Sequence, residues 1–481
     1  MPYLTLTALF IAIHLLYYQT GVRFDAEPLY LNWQYLDADL LRNNLSQSLL
    51  YLHSQPPLFN LMIGLVLKLA PSNFAAVFSS VFAALGLCLY LGLYRILRLA
   101  GCGLAVSILT ATLFCATPSF LLYEHTLFYP LPVAVILVLA AISLHHFALS
   151  QKAAAAMLFF FLLFLLCAVS SQFQLPYFLL VLLMLLFTLK TRKQIVLAAA
   201  LPLLLVLLLY AKNWLIFGKF ATSTWLGMNL MHNLAEAIPA NERQQMIKDG
   251  VLSKAMQAPS FSPLESYLFL PEQHRFSGIA ALSRTEKEQA LPHPDQRMRV
   301  NFNHYSYINI SDLYLQDFLI LAKRFPDLLL KRHDGSWQRY FTPSTFRAVS
   351  GENLKLMAPI IRFFDKYVYL QLQLGPPVGP QKTPQQIFLT LLAGLPLLFG
   401  YGMYLVSARE SMDLRPGGDV PRRLMLSFML FTIFYLTFVG NIIECGENNR
   451  FRFALDPFFF VLLGMALEMI TTKVRAYYRR A

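Results

Sequence analysis

Charge is scarce in this chain: only 14% of its 481 residues are Asp, Glu, Lys or Arg, and stretches such as AAAAMLFFFLLFLLCAVSS contain none. Uncharged apolar blocks of about 17 to 24 residues exclude an ordinary soluble domain and mark helices that cross lipid. Cysteine is scarce too. Cys88, Cys102, Cys115, Cys167 and Cys445 are scattered with no CxxC pair, so neither a disulfide framework nor a zinc site is suggested and they read as small apolar packing residues. There is no GxGxxG and no P-loop, so the two common nucleotide-phosphate motifs are missing. The net charge of +13 does not form a dense basic stripe, which argues against nucleic acid as a partner. No internal repeat of the kind found in many transporters is visible.

Hydropathy suggests about ten spans: 3–19, 74–97, 103–121, 129–149, 153–170, 173–189, 194–216, 385–407, 424–443 and 453–472. No basic residue precedes the apolar run that begins at Tyr3, which suits a retained first span better than a signal peptide. Every second connection carries the basic residues: Arg95 and Arg98, Lys152, Lys190 to Lys193, Arg409 to Arg423, and Lys473 to Arg480. The positive-inside rule makes these connections and both termini cytoplasmic. The expected fold is therefore an all-α polytopic membrane protein. Residues 1–216 form a transmembrane module of about seven spans with an outer loop at 20–73. Residues 217–384 form a small extracytoplasmic helical cap ending in the linker GPPVGPQKTP, and 385–481 form a C-terminal module of about three spans.

With that topology the ionisable residues gather on the outer face: Asp25, Glu27, Asp37, Asp39 and His53 in the first loop, Glu124 and His125 in LLYEHTLFYP, and Glu444, Glu447, Arg450 and Arg452 in NIIECGENNRFRFALDP. Charged groups at the ends of apolar helices need partners or a function. Glu124 stands among Leu, Tyr and Phe, where a bare carboxylate is hardest to accommodate. Bland readings stand beside these: a helix cap for Asp25 and Glu27, an interfacial anchor for the arginines, and a hydrogen-bonded structural role for each histidine. Asp37-Ala38-Asp39 is a D-x-D triplet, but on the outer face it has no nucleotide sugar to meet.

The stretch LHSQPPLFNL breaks the first loop with two prolines, which remove two backbone donors and forbid a continuous helix. The following LFNLMIGLVLKL is too short to cross a bilayer and is expected to lie as an amphipathic surface helix ahead of a span near Asn73. Together with RFDAEPLYLNWQYL, YEHTLFY, KNWLIFGKFATSTWLGMNL and ENNRFRFALDP, it gives the chain its resemblance to the GT-C superfamily of membrane glycosyltransferases. More narrowly, the pattern resembles the dolichyl-phosphate-mannose protein mannosyltransferases and the bacterial lipid A aminoarabinose transferases. It covers most of the membrane part, and it departs from the family where Ala26 separates Asp25 from Glu27.

The resemblance implies an enzyme that moves a sugar, with inversion, from a polyprenyl-phosphate donor to a lipid, glycan or protein acceptor at the outer face of the plasma (bacterial inner) membrane. It assigns the first-loop base to Asp25, with Asp37 as the alternative, and the second acidic residue to Glu124. Phosphate already leaves well, so the reaction needs a base for the acceptor hydroxyl and a cation for the departing phosphate. Arg450 or Arg452 would supply the cation. Glu27, His53, Gln55, His125 and Glu447 would orient substrate. The resemblance fixes no cofactor, since members of the superfamily differ in metal use; Asp25, Glu124 and His125 could ligate a divalent metal. The rival reading from another class is a lipid or solute transporter or flippase using the same acidic residues.

Overall fold

The computed structural model describes residues 2–232, 234, 237–270, 276–292, 295–345, 351–378, 383–391, 394, 397, 401, 402, 420–444 and 446–478. Helices predominate. The first, α1 (Pro2–Gln19), is followed by a loop with short helices α2 (Pro28–Leu31), α3 (Ala38–Asn43) and α4 (Leu45–Leu50). Next comes α5 (Leu58–Leu69), which begins directly after Pro57, because a proline at a helix start forfeits a donor that would be unpaired anyway. It buries Phe59, Ile63 and Leu67 on one face, and Asn73 then leads into α6 (Phe74–Leu99). The expected short helix and the expected start of the next span both lie where the prolines and Asn73 indicate.

The bundle continues with α7 (Leu104–Cys115), α8 (Pro118–Glu124), α9 (Pro130–Ser150), α10 (Ala153–Val169), α11 (Leu175–Thr188) and α12 (Arg192–Phe217). After the cap it resumes with α20 (Val420–Ile443), α21 (Asn448–Phe453) and α22 (Asp456–Tyr478). At its centre α9 packs against α6, α10 and α20, and its apolar residues are buried almost all round.

The count of ten spans is corrected. Among the described residues five helices are long and apolar enough to cross a membrane, α6, α9, α12, α20 and α22, or six if α7 and α8 form one bent span. The bend of 59° has a local cause: Thr117 accepts a hydrogen bond from the Phe120 amide at 3.3 Å and starts a new helix with Pro118 in its first turn. At 14 residues α11 reaches only about 21 Å, short of the hydrocarbon thickness. The α1 segment is diluted by Thr5, Thr7, His14 and three tyrosines. The span expected at 385–407 starts instead as extended chain: Gln371–Val378 (β1) pairs antiparallel with Thr383–Phe388 (β2), so both ends of the expected linker lie in paired strands. Most of the remainder of that span, and Cys445, lie outside the described residues.

The 217–384 segment has its own apolar core around Trp225, Met228, Met231, Met256, Tyr307 and Tyr314, separate from that of the bundle. Its main helices are α13 (Leu226–Met231), α14 (Ala240–Lys248), α15 (Ala280–Ser283), α16 (Ser306–Arg324) and α17 (Pro326–Tyr340), followed by α18 (Glu352–Leu356) and α19 (Ala358–Phe363). Gly227 lets α13 approach α16 so closely that a Cβ there would run into the Ser311 carbonyl.

The first loop is sewn to this cap. Asn303 Oδ1 accepts from the amides of His53 and Ser54, at 3.0 and 3.1 Å, and its Nδ2 donates to the Tyr51 carbonyl at 3.2 Å. Ser223 Oγ donates to the Ser54 carbonyl at 2.6 Å. Lys287 Nζ donates to the Asn32 carbonyl at 2.6 Å.

Candidate functional site

Where the first loop, the cap and one end of the helix bundle meet, they enclose a cavity of about 670 Å³. Its wall comes from widely separated parts of the chain: residues 28–34, Gln55, the Thr126 to Tyr129 turn after α8, residues 171–174 before α11, the α13 region, Phe261, the stretch from Asp295 to Met298, Arg339 on α17, and the residues around the α20–α21 break. The lining mixes carboxamides (Asn32, Gln34, Gln55, Gln172, Gln174, Asn229) with aromatic rings (Trp33, Trp225, Phe128, Tyr129, Phe261). Such a wall offers donors and acceptors for hydroxyls and flat faces for an apolar ring surface.

Arg450 is placed by the break between α20 and α21. Asn448 rebuilds the interrupted helix with its side chain: Nδ2 donates to the Glu444 carbonyl at 2.9 Å and to Asn441 Oδ1 at 3.0 Å, while Oδ1 accepts the Gly446 amide at 3.0 Å. The turn that follows presents Arg450 to the cavity with only 7% of its surface exposed. Its Nη1 meets Glu447 Oε2 at 2.5 Å, and its Cζ lies 5.0 Å from the Phe451 ring centre and 5.1 Å from that of Phe128. Buried Nε has no hydrogen-bond partner. A guanidinium this enclosed and incompletely bonded costs free energy unless something else fills its fork.

Two more guanidinium groups line the cavity. Arg297 pairs with Asp295 at 2.7 Å and lies 5.9 Å from the Trp33 ring centre. Arg339 has no carboxylate within ion-pair distance among the described residues. On the acidic side, Glu444 Oε1 lies 3.3 Å from His232 Nδ1.

Of the residues expected from sequence, the cavity gathers Arg450, Glu447 and Gln55. Asp25 lies beside it: its amide donates to the His125 carbonyl at 2.7 Å and its carbonyl accepts from Leu127 at 3.0 Å, so its backbone bridges to the cavity residue Thr126. Its Oδ1 accepts the Glu27 amide at 2.9 Å, and burial raises its carboxyl above the usual range. Glu27 itself is exposed.

Asp37 is a cap and latch. Oδ1 accepts the Asp39 amide at 3.0 Å, and Oδ2 accepts the Glu288 amide. With both oxygens held by backbone donors, it is a structural carboxylate in this fold. Beside it, burial depresses Lys287 to about 7 against the pull of Asp37. Arg452 likewise turns inward, donating to the Thr342 carbonyl at 3.1 Å and Ser344 Oγ at 2.8 Å, and facing Asp456 at 3.4 Å.

Neither expected histidine lines the cavity. His53 Nε2 lies 2.9 Å from the Asn303 carbonyl, which can only accept, so Nε2 carries the hydrogen and Nδ1 accepts from Thr224 Oγ1 at 2.8 Å. Burial lowers the imidazole to about 3. Acid should therefore destabilise the loop–cap seam: the unfolded chain binds a proton below about 6.5 that the folded one refuses until about 3. The contribution of neutral His53 is complete above that window and is lost on acidification, by about 2 kcal/mol at pH 5. Melting profiles of wild type and His53→Gln in detergent check this, the variant losing that share of the acid sensitivity. His125 donates from Nδ1 to the Leu121 carbonyl at 2.9 Å, and burial lowers it to about 4.

Glu124 is buried, and its partner is a residue the sequence reading passed over: His14 Nε2 stands 2.6 Å from Glu124 Oε2. The signal was present, since an imidazole inside LFIAIHLLYY is an ionisable group in an apolar helix. Among the described residues no three His, Cys, Asp or Glu side chains come together as metal ligands, so Asp25, Glu124 and His125 do not form the expected set. Arg297, Arg339, Trp33 and Trp225 were also passed over, being ordinary polar and aromatic residues until the cap is folded onto the loop. No protein-family model matches the chain, and no curated protein and no solved structure is similar to it.

Proposed function

We propose that the chain is a membrane-embedded glycosyltransferase of the GT-C type, taking a sugar from a polyprenyl-phosphate donor and passing it to a hydroxyl acceptor at the cavity. The observation that carries this reading is Arg450, a nearly enclosed cation on the cavity wall with an unfilled donor. A phosphate oxygen is the acceptor such a fork fits best. The carboxamides and rings around it suit the sugar, and the five apolar helices suit a chain held in the same lipid as the donor's tail. On this reading the membrane is the plasma membrane and the cavity is extracytoplasmic.

In the reaction, the bond from the anomeric carbon to the phosphate oxygen breaks, and the polyprenyl phosphate leaves with the electron pair, held by Arg450. The acceptor oxygen forms the new bond from the opposite face, and its proton passes to a carboxylate. Glu447 becomes that acceptor when Arg450 turns from it to the phosphate. Asp25, joined by its backbone to Thr126, is the residue the resemblance assigns to the same role.

The test is thermal stability of the purified protein with a panel of polyprenyl-phosphate sugars, followed by transfer assays of Glu447→Gln and Asp25→Asn. A ligand at 100 times its Kd stabilises the native state by about 2.7 kcal/mol. The variant that keeps this stabilisation but loses transfer holds the proton acceptor. If no donor stabilises the wild type, the transferase reading fails. Transport is then the next reading, favoured by the buried His14–Glu124 pair among apolar helices.

A further inference from the structure

We propose that His14 and Glu124 form a buried proton-binding site, one proton being shared between His14 Nε2 and Glu124 Oε2. The assignment follows from what each atom can donate. His14 Nδ1 lies 2.7 Å from the Phe10 carbonyl, and a carbonyl only accepts, so Nδ1 carries a hydrogen. In a neutral ring Nε2 would then be a lone pair, facing a carboxylate oxygen at 2.6 Å. Two lone pairs do not make that contact, so a second proton has to lie between them.

The 2.6 Å separation also leaves no room for a metal ion between the two atoms, whose bonds to nitrogen and oxygen would each need about 2 Å. Glu124 exposes only 2% of its surface and the His14 side chain 18%. The Phe10 ring stacks on His14 with centroids 3.9 Å apart.

The second oxygen strengthens the case. Glu124 Oε1 is buried with no hydrogen-bond partner, and it sits against the α6 backbone at Gly86, where a Cβ would come within 2.6 Å of it. This oxygen is closed off from bulk solvent, and no protein donor neutralises it. The other ionisable groups at the junction are His125, whose ring centre lies 5.9 Å from that of His14, with Cys115, Tyr17, Tyr90 and Arg23. Tyr17 donates to the Ala116 carbonyl at 3.3 Å and Tyr90 pairs with Thr112 at 2.7 Å, so neither hydroxyl supplies the pair's proton. Glu124 also precedes His125, whose carbonyl holds the Asp25 amide. The site thus lies one residue from the strand contact that places the first loop on the cavity wall.

The test needs no knowledge of substrate. The apparent melting temperature of the full-length protein in detergent is followed from about pH 6 to about pH 9, spanning the range where an unfolded histidine has already lost its proton. Loss of one proton that only the folded state holds changes the folded-to-unfolded ratio by up to tenfold per pH unit, with stability falling as pH rises.

In Glu124→Gln the amide N–H fills the same gap without titrating, so that variant should match wild type at the acid end and lack the alkaline fall. His14→Gln removes the imidazole but leaves the buried carboxyl able to hold a proton of its own, so that variant should keep a fall. An alkaline fall undiminished in Glu124→Gln overturns the proposal. If neither variant folds, the same profile in Lys287→Gln decides, because burial gives that lysine the opposite slope above about 7, and a flat curve once it is removed also overturns the proposal.

Discussion

Replacing Arg450 with alanine is expected to lower sugar transfer by about 100- to 1,000-fold, the cost of removing one preorganised donor to a developing negative charge. Donor-induced stabilisation should fall with it, since on the proposed reading the same guanidinium meets the phosphate before and during the reaction. Arg450→Lys should recover part of the binding and little of the rate, because an ammonium keeps the charge but not the two-pronged geometry. Glu447 separates this from simple misfolding. Its side chain is half exposed, so losing its partner strands no deeply buried charge. A folded Arg450→Ala protein with undiminished transfer would remove the arginine from the site and the transferase reading with it.

The largest stability loss is expected at the neighbouring arginine, which plays no part in the cavity. Arg452 and Asp456 expose 3% and 8% of their side chains, 3.4 Å apart, with Ser344 between them: its Oγ lies 2.8 Å from Arg452 Nη2 and 3.1 Å from Asp456 Oδ2. Removing either charge alone leaves the other buried and uncompensated, at a cost of about 3 to 5 kcal/mol. Arg452→Met with Asp456→Leu should cost much less than either single change, because no orphaned charge remains. Denaturation of the two singles and the double measures it. Additive losses would mean that the pair acts as two independent hydrogen-bonding residues.

These two arginines stand two positions apart and look equivalent in ENNRFRFALDP. What divides them is the turn built by Asn448, which sends Arg450 toward Phe128 and the cavity and Arg452 toward the chain at Thr342 and Ser344. That division needs a helix break and a partner more than 100 residues away, so spacing alone does not reveal it.

The local features were the legible ones. Pro57 precedes α5 and Asn73 precedes α6 as expected, and nine of the ten apolar blocks become helices, the tenth, 385–407, opening as a strand and lying mostly outside the described residues. The span count was too high because hydropathy measures composition and is blind to direction. It ran through the Thr117–Pro118 turn and credited the 14 residues of α11 with a full crossing. It also read residues 385–388 as helix, although they pair with a strand.

At the site, Arg450, Glu447 and Gln55 were legible as polar groups beside apolar helices. The capping and latching bonds of Asp37 were not legible, because its second oxygen accepts from the amide of Glu288, far along the chain. His14 was hidden for the same reason: only the packing of α1 against the α8 region gives it a carboxylate.

The seam between His53 and Asn303 also governs the order of events during synthesis. The two residues are 250 positions apart, so the carbonyl, amide and imidazole groups around His53 have no cap to bond while that much chain is still being made. At about 5 to 20 residues per second the wait is on the order of 10 to 50 seconds. Until Asn303 arrives, the segment around the prolines is an unfinished wall, dependent on water, lipid headgroups or a chaperone for its hydrogen bonds. Truncated chains ending before residue 300 should therefore be cut by protease around residues 51–55, and longer chains protected.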